Sequence, residues 1–157
     1  LLTQRTYDNL GRVTKVEVGP DSGKDGALDS TLRKRESKYD SRGRVYQSVV
    51  HNCSGEGTMT TDYWYDGRGR TGKVKPPGTT IAFTKRLYDG AGQLIYMARC
   101  SAEGTETSAW TLEDDVIERL TKYVYDSGGR RTQTCLGTSV TYTSGSITGY
   151  HLPLRAS

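Results

Sequence analysis

Tyr65-Asp66-Gly67-Arg68-Gly69-Arg70 is the stretch that decides the fold, because its pattern returns four more times. The other copies are Tyr7-Asp8-Asn9-Leu10-Gly11-Arg12, Tyr39-Asp40-Ser41-Arg42-Gly43-Arg44, Tyr88-Asp89-Gly90-Ala91-Gly92-Gln93 and Tyr125-Asp126-Ser127-Gly128-Gly129-Arg130. With 11 Tyr, 11 Asp and 19 Gly in 157 residues, chance supplies roughly 0.1 copies of Tyr-Asp-x-x-Gly, so five mark an internal repeat. Successive tyrosines lie 32, 26, 23 and 37 residues apart, so the unit is constant and its connectors vary.

Each copy reads as the tip of a β-hairpin. An Asp opening a type I turn accepts bonds from backbone N–H groups further along the turn. The Gly three residues later supplies a positive φ and closes a three-residue loop with a G1 bulge. Tyr then ends the incoming strand, and Arg or Gln starts the outgoing one. The shortest interval predicts a strand from Arg70 to Pro76, a turn at Pro77-Gly78-Thr79 and a returning strand from Ile81 to Tyr88. Longer intervals fit the same cycle if Gly19–Ser30 and His51–Met59, rich in Gly, Ser and Asp, bulge at the far turn.

Composition agrees with a thin structure. Leu, Ile, Val and Phe make up 27 of 157 residues, a level that usually warns of disorder. Disorder also calls for high net charge, and 22 basic against 18 acidic residues leave only +4. Tyr and 21 Thr favour half-exposed sheet. Counted from Gly43, Arg44, Tyr46, Ser48 and Val50 share one face, and Val45, Gln47, Val49 and His51 the other. Counted from Gly92, the sets are Gln93, Ile95, Met97, Arg99 and Leu94, Tyr96, Ala98, Cys100. Neither face is plainly apolar, which predicts one layer wet on both sides and held by ladder bonds and cross-strand stacks. The expected fold is all-β, about ten strands of repetitive antiparallel hairpins in a coiled single-layer strip, over residues 1–136. A Thr-, Ser- and Gly-rich segment, 137–157, follows, with room for one more strand.

Tyr-Asp-x-x-Gly-Arg at irregular intervals over residues 4–136 resembles the YD-repeat (Rhs-type) family. That family includes Rhs toxins, the shell subunits of insecticidal toxin complexes, teneurins and large secreted bacterial YD-repeat proteins. The resemblance implies a hairpin strip coiled into a hollow shell, placed outside the cell or at its surface. Relatives that enclose a toxin close the shell with a Gly-, Asp-, Pro- and Asn-rich self-cleaving segment; this sequence has no counterpart, so self-cleavage does not carry over.

The expected role is therefore structural, a wall segment of a shell, tube or filament. Its partners would be further repeats of a longer parent chain or copies of itself, because open sheet edges demand neighbours. The opening Leu1-Leu2, without Met, suggests a processed chain or a fragment. A second reading is a carbohydrate- or receptor-binding module using Tyr63, Trp64 and Trp110.

Chemistry-bearing residues give weaker signals. Gly67-x-Gly69-x-x-Gly72 matches a dinucleotide fingerprint but sits on a repeat turn instead of before a helix. Cys53, Cys100 and Cys135 form no close pair of the zinc type; buried thiols or a cross-strand disulfide both fit them. His51 and His151 have no nucleophile placed beside them by the repeat. No catalytic residue, metal or cofactor is expected. Asp21, Asp25 and Asp29 share a loop without the spacing of a calcium site. Asn52-Cys53-Ser54 is a formal glycosylation sequon. Glu113-Asp114-Asp115 reads as a solvated turn before a strand from Val116 to Tyr125, with a helix over Trp110–Leu120 as the minor option. The repeat arginines account for much of the basic balance and are spread evenly, against a nucleic-acid surface. They are expected to pair with Asp or stack on the next Tyr. No run approaches about 18 apolar residues, which excludes a membrane-crossing helix.

Overall fold

The computed structural model describes the chain apart from residues 52–56, 79–81, 103–111, 113–114, 138, 144–145 and 152–157; of the rest beyond 138, only the backbone is described. Twelve strands follow one another: β1 (Leu2–Tyr7), β2 (Val13–Gly19), β3 (Arg33–Tyr39), β4 (Val45–His51), β5 (Thr58–Tyr65), β6 (Thr71–Lys75), β7 (Phe83–Tyr88), β8 (Leu94–Ala102), β9 (Val116–Tyr125), β10 (Arg131–Gly137), β11 (Ser139–Thr143) and β12 (Ser146–His151). There is no helix among the described residues. Strands β1 to β10 form one open antiparallel sheet in sequence order, while β11 and β12 pair separately. The C-terminal segment thus holds two strands where the sequence suggested one. Strand β9 has the expected bounds, and the helix considered over Trp110–Leu120 is excluded from 116 onward because those residues pair in the sheet. Strand β7 begins at Phe83, later than the expected Ile81, which lies outside the described residues.

Every hairpin tip has the anticipated geometry. In the first, the Asp8 amide donates to Arg12 O at 2.9 Å, and the Gly11 amide donates to Asp8 O at 3.0 Å. The pattern repeats at Asp40, Asp66, Asp89 and Asp126. The five closing glycines have φ between 75° and 94°, which L-residues with a Cβ rarely adopt. A second irregularity was not legible in the pattern. Tyr7 pairs with Val13 and Thr6 with Lys15, leaving Thr14 bulged out. Tyr46, Ile95 and Thr132 occupy the same place in their hairpins. The Thr14 hydroxyl donates to Thr6 O and the Thr132 hydroxyl to Val124 O, both at 3.2 Å. This bulge breaks the alternation counted straight from the turn glycine, because one residue per outgoing strand is unpaired.

The chain divides into two compact units, 1–63 with 76–78 and 64–75 with 79–157. In the first, the sheet carries a checkerboard of charge. Lys15 lies opposite Glu36 and Glu17 opposite Lys34. Along the strands, Lys15 pairs with Glu17 at 2.8 Å and Lys34 with Glu36 at 2.7 Å. His51, opposite Lys34, brings Nε2 to 3.4 Å from Glu36. No large apolar side chain of this unit is buried among the described residues.

The second unit departs from a sheet wet on both sides. Phe83, Tyr96, Ala98, Cys100, Leu112 and Leu120 form a buried cluster, with Leu87, Ile95 and Ile117 packed against it. Tyr96, Ala98 and Cys100 share one face of β8, and Leu112, from the connector before β9, joins them. One face of this unit is therefore covered locally, although no second sheet layer lies over it among the described residues.

Candidate functional site

The repeated turn is the first candidate site, and its chemistry is built from the Asp outward. Asp8 Oδ1 accepts the Leu10 and Arg12 amides, each at 2.9 Å. Asp8 Oδ2 receives Arg12 Nε and Nη2, both at 2.6 Å, so two guanidinium nitrogens converge on one charged oxygen. Arg44 and Asp40 repeat the arrangement at 2.7 Å, Arg70 and Asp66 at 2.6 Å, and Arg130 and Asp126 at 2.9 Å. The backbone N–H of the arginine four residues on is the main cause holding Asp8, Asp40 and Asp126 below the usual carboxylate range. At Asp66, burial works against ionisation, but the bonds from Arg70 outweigh it and the direction is again down. In the fourth copy Gln93 replaces Arg, and its backbone N–H donates to Asp89 Oδ1 at 2.8 Å.

Held by their own Asp, Arg12 and Arg70 reach the next hairpin. The Arg12 guanidinium lies over the Tyr39 ring at 4.7 Å, and Arg70 lies over Tyr88 at 4.2 Å. The tyrosine answers through its hydroxyl. Tyr39 donates to Val13 O at 2.8 Å, Tyr88 to Thr71 O at 3.2 Å and Tyr125 to Leu94 O at 2.9 Å. In each case the acceptor is the residue after the arginine or glutamine of the preceding turn. Pairing with Asp and stacking on Tyr, expected as alternatives, occur together.

The turn glycine has a second duty. A Cβ at Gly92 would lie 3.2 Å from Arg70 Nη1, and one at Gly129 would lie 2.9 Å from Gln93 Nε2. The preceding turn's side chain lies against the bare glycine backbone. Tyr, Asp, Gly and Arg therefore act as a coupling between neighbours as well as a hairpin signal. Tyr7, on the first strand, is 55% exposed, and the Arg130 side chain, after the last turn, is 86% exposed.

Shallow clefts open beside these couplings. One of about 400 Å³ is lined by Asp66, Gly67, Arg70, Arg86, Leu87, Tyr88 and Ile95. Another, of about 520 Å³ in the first unit, is bounded by the equivalent Asp8, Arg12 and Tyr39 with Ser37 and Lys38. Of the aromatic residues considered for glycan stacking, Trp64 is 36% exposed and has the Lys73 ammonium 4.4 Å from its ring centre. Tyr63 is half-buried, and Trp110 lies outside the described residues. Gly67 and Gly69 sit in the turn and Gly72 in β6, so the dinucleotide pattern precedes a strand and lacks the helix N-terminus it needs. Asp21 Oδ1 accepts the Asp25 amide at 3.1 Å, and Asp29 Oδ2 accepts the Ser22 amide at 2.7 Å. These carboxylates organise their own loop. Cys100 and Cys135 are free thiols, while Asn52 and Cys53 lie outside the described residues.

A second constellation was missed by sequence reasoning. Asp115 is not part of a solvated turn: its carboxylate and the Lys85 ammonium are both 0% exposed and 2.6 Å apart. Glu113 and Asp114 lie outside the described residues. The Cys100 Sγ donates to Asp115 Oδ2 at 4.0 Å. Lys73, directly opposite Lys85 in the β6–β7 pair, is also buried, with its ammonium near the Trp64 and Phe83 rings. Burial, helped by the neighbouring Lys85 and Lys75, pushes Lys73 down to about 8. Burial, with Asp115 beside it, pushes the Cys100 thiol up to about 12. Ions taken out of water cost several kcal/mol each, so such a pair persists only with close partners. The available signal was weak: Lys85 falls between Phe83 and Leu87 on a strand whose alternation looked mixed.

No protein-family model and no curated protein sequence matches this chain. Among solved structures, it is similar to a chain of the Photorhabdus luminescens Tc holotoxin pore, with a TM-score of 0.61 at 16% sequence identity. The match covers 88% of this chain and only 7% of that one. At this identity the likeness is one of fold: a single antiparallel hairpin strip of this kind forms a small part of a much larger toxin-complex chain.

Proposed function

We propose that the chain is a structural wall segment of a YD-repeat assembly, built as a hollow shell, tube or extracellular filament, with no catalysis of its own. The carrying observation is the Arg–Tyr–Gly coupling between successive turns, which makes each hairpin a template for the next. Exposed Tyr7 and Arg130 are the two unmated halves of that coupling, suited to a neighbouring hairpin of the same grammar. The neighbour is another copy of this chain or further repeats of a longer parent chain. The similarity to part of a toxin-complex chain supports a role as one stretch of a large wall, acting outside the cell or at its surface.

A carbohydrate- or receptor-binding module is the second reading, favoured by the cleft over Tyr88 and Arg86. The Lys73 ammonium against Trp64 counts against it, since that ring already has a partner. Negative-stain images of the purified chain across a concentration series test the first reading. Strips, filaments or closed particles are expected, and Tyr7→Ala combined with Arg130→Ala should suppress them. A chain that stays monomeric throughout overturns assembly from copies of itself and leaves further repeats of a parent chain as the neighbour; glycan-array binding lost in Trp64→Ala favours the second reading and overturns the first.

A further inference from the structure

We propose that Lys85 and Asp115 are the two halves of an intramolecular isopeptide bond that joins β7 to the residue preceding β9. This goes beyond the wall reading and does not depend on it. The geometry is that of a reactant pair. Nζ and Oδ2 are 2.6 Å apart, both side chains are fully buried, and Phe83, Cys100, Leu112 and Leu120 are buried in the same unit. The amine stands on the paired strand β7 and the carboxyl lies one residue before β9, and reactants fixed in a favourable geometry reach effective molarities of about 10⁵–10⁸ M.

The step balances without any co-reactant. One proton passes from the Lys85 ammonium to Asp115 Oδ2 along the existing hydrogen bond, leaving a neutral amine facing a neutral carboxyl. That transfer removes two charges from an apolar site and relieves the repulsion between Lys85 and the ammonium of Lys73 directly opposite. The Nζ lone pair then attacks Cγ, and the Nζ–Cγ bond forms. The Cγ–Oδ2 bond breaks, and the oxygen leaves as water with two hydrogens, while one stays on the amide nitrogen. Cys100, whose Sγ lies 4.0 Å from Oδ2, is the nearest thiol and closes in to supply a proton to the departing oxygen and recover one from the nitrogen. Its thiol stays protonated at neutral pH because burial raises it to about 12. Absence of bulk water removes the medium that would return the amide to its acid and amine.

Intact mass spectrometry of the denatured, purified chain tests the proposal. The expected mass is below the sequence mass by one water, and digestion should yield one branched peptide containing both Lys85 and Asp115. Lys85→Arg keeps the charge pair and should restore the full mass. Asp115→Asn should still cross-link but lose one ammonia in place of water, which keeps the test decisive if the arginine variant fails to fold. Cys100→Ala should slow bond formation by about 10²-fold, the scale of a general acid; an unchanged rate overturns the role given to Cys100. A full mass for the folded wild-type chain after prolonged incubation at neutral pH overturns the proposal. So does a water loss with no branched Lys85–Asp115 peptide.

Discussion

The two units use one turn grammar and opposite means of holding a sheet together. In the first, Lys15, Glu17, Lys34, Glu36 and His51 tile a face with alternating charge, and no large apolar side chain is buried among the described residues. In the second, Phe83, Tyr96, Ala98, Cys100, Leu112 and Leu120 close over a buried ion pair. Exposed ion pairs contribute roughly 0–1 kcal/mol each, whereas a buried leucine is worth several times that. The comparison separates two tasks. The Tyr-Asp-x-x-Gly-Arg tip fixes where strands begin and which neighbours they meet; stability beyond that depends on what the intervening strands carry. A unit without a core must draw on its ladder bonds and its neighbours, which is what a segment of a longer wall has at hand.

Three measurements would break or sharpen this contrast. The largest effect is expected from Leu120→Ala, which should cost about 2–5 kcal/mol by leaving a cavity in the second unit. Urea unfolding followed by tryptophan fluorescence reads this, because Trp64 belongs to that unit, and circular dichroism of the sheet follows the first unit alongside. Val50→Ala, at a 39% exposed position of the first unit, should stay within about 0.5 kcal/mol. Equal costs at the two positions would erase the distinction. Next, Gly43→Ala and Gly129→Ala should each lose about 1–2 kcal/mol, since φ of 80° and 78° penalises any Cβ. Gly129→Ala should cost more, because its Cβ would meet Gln93 Nε2 at 2.9 Å, against 3.7 Å to Arg12 Nη1 at Gly43. Thermal melts of the two variants side by side test the order.

The smallest effect is expected from acid. Asp8, Asp40, Asp66 and Asp126 titrate below their unfolded range in the folded chain, so the folded state binds fewer protons there. Their contribution is complete above the ordinary carboxylate range and is lost as pH falls through the lowered folded values. Glu36, held down mainly by the Lys34 ammonium, adds to this loss in the first unit. Amide hydrogen exchange at decreasing pH should therefore show β2–β4 opening before β7–β9. Simultaneous opening would show that the buried cluster confers no acid resistance.

How much of this was legible in the sequence follows from the range of the forces. The turns were readable because Asp8 acts on amides only two and four residues away, so five local solutions could be seen side by side. The end of strand β9 was readable for a similar reason: Tyr125 and Asp126 open the fifth turn there. The second bulge at Thr14, Tyr46, Ile95 and Thr132 was hidden, since a tyrosine and an isoleucine stand where the other two hairpins have threonine. The Tyr39 hydroxyl bond to Val13 O spans 26 residues, and only the registered sheet reveals it. Asp115 was misread because an acidic triplet is solvated by default, and Lys85 lies 30 residues back in the chain. The Arg–Tyr stacking was visible as an option, but not that one guanidinium would serve Asp and Tyr at once.

The coupling at the tips has a consequence for how such chains grow. Because a turn contacts only the turns beside it, through its arginine or glutamine, its tyrosine and a bare glycine backbone, a whole hairpin can be duplicated or deleted without redesigning anything further away. Length changes at the opposite rim leave that joint untouched, as the unequal distances between tyrosines already show. One border of the ribbon is thus the standardised fastening, and the other is free to acquire new sequence.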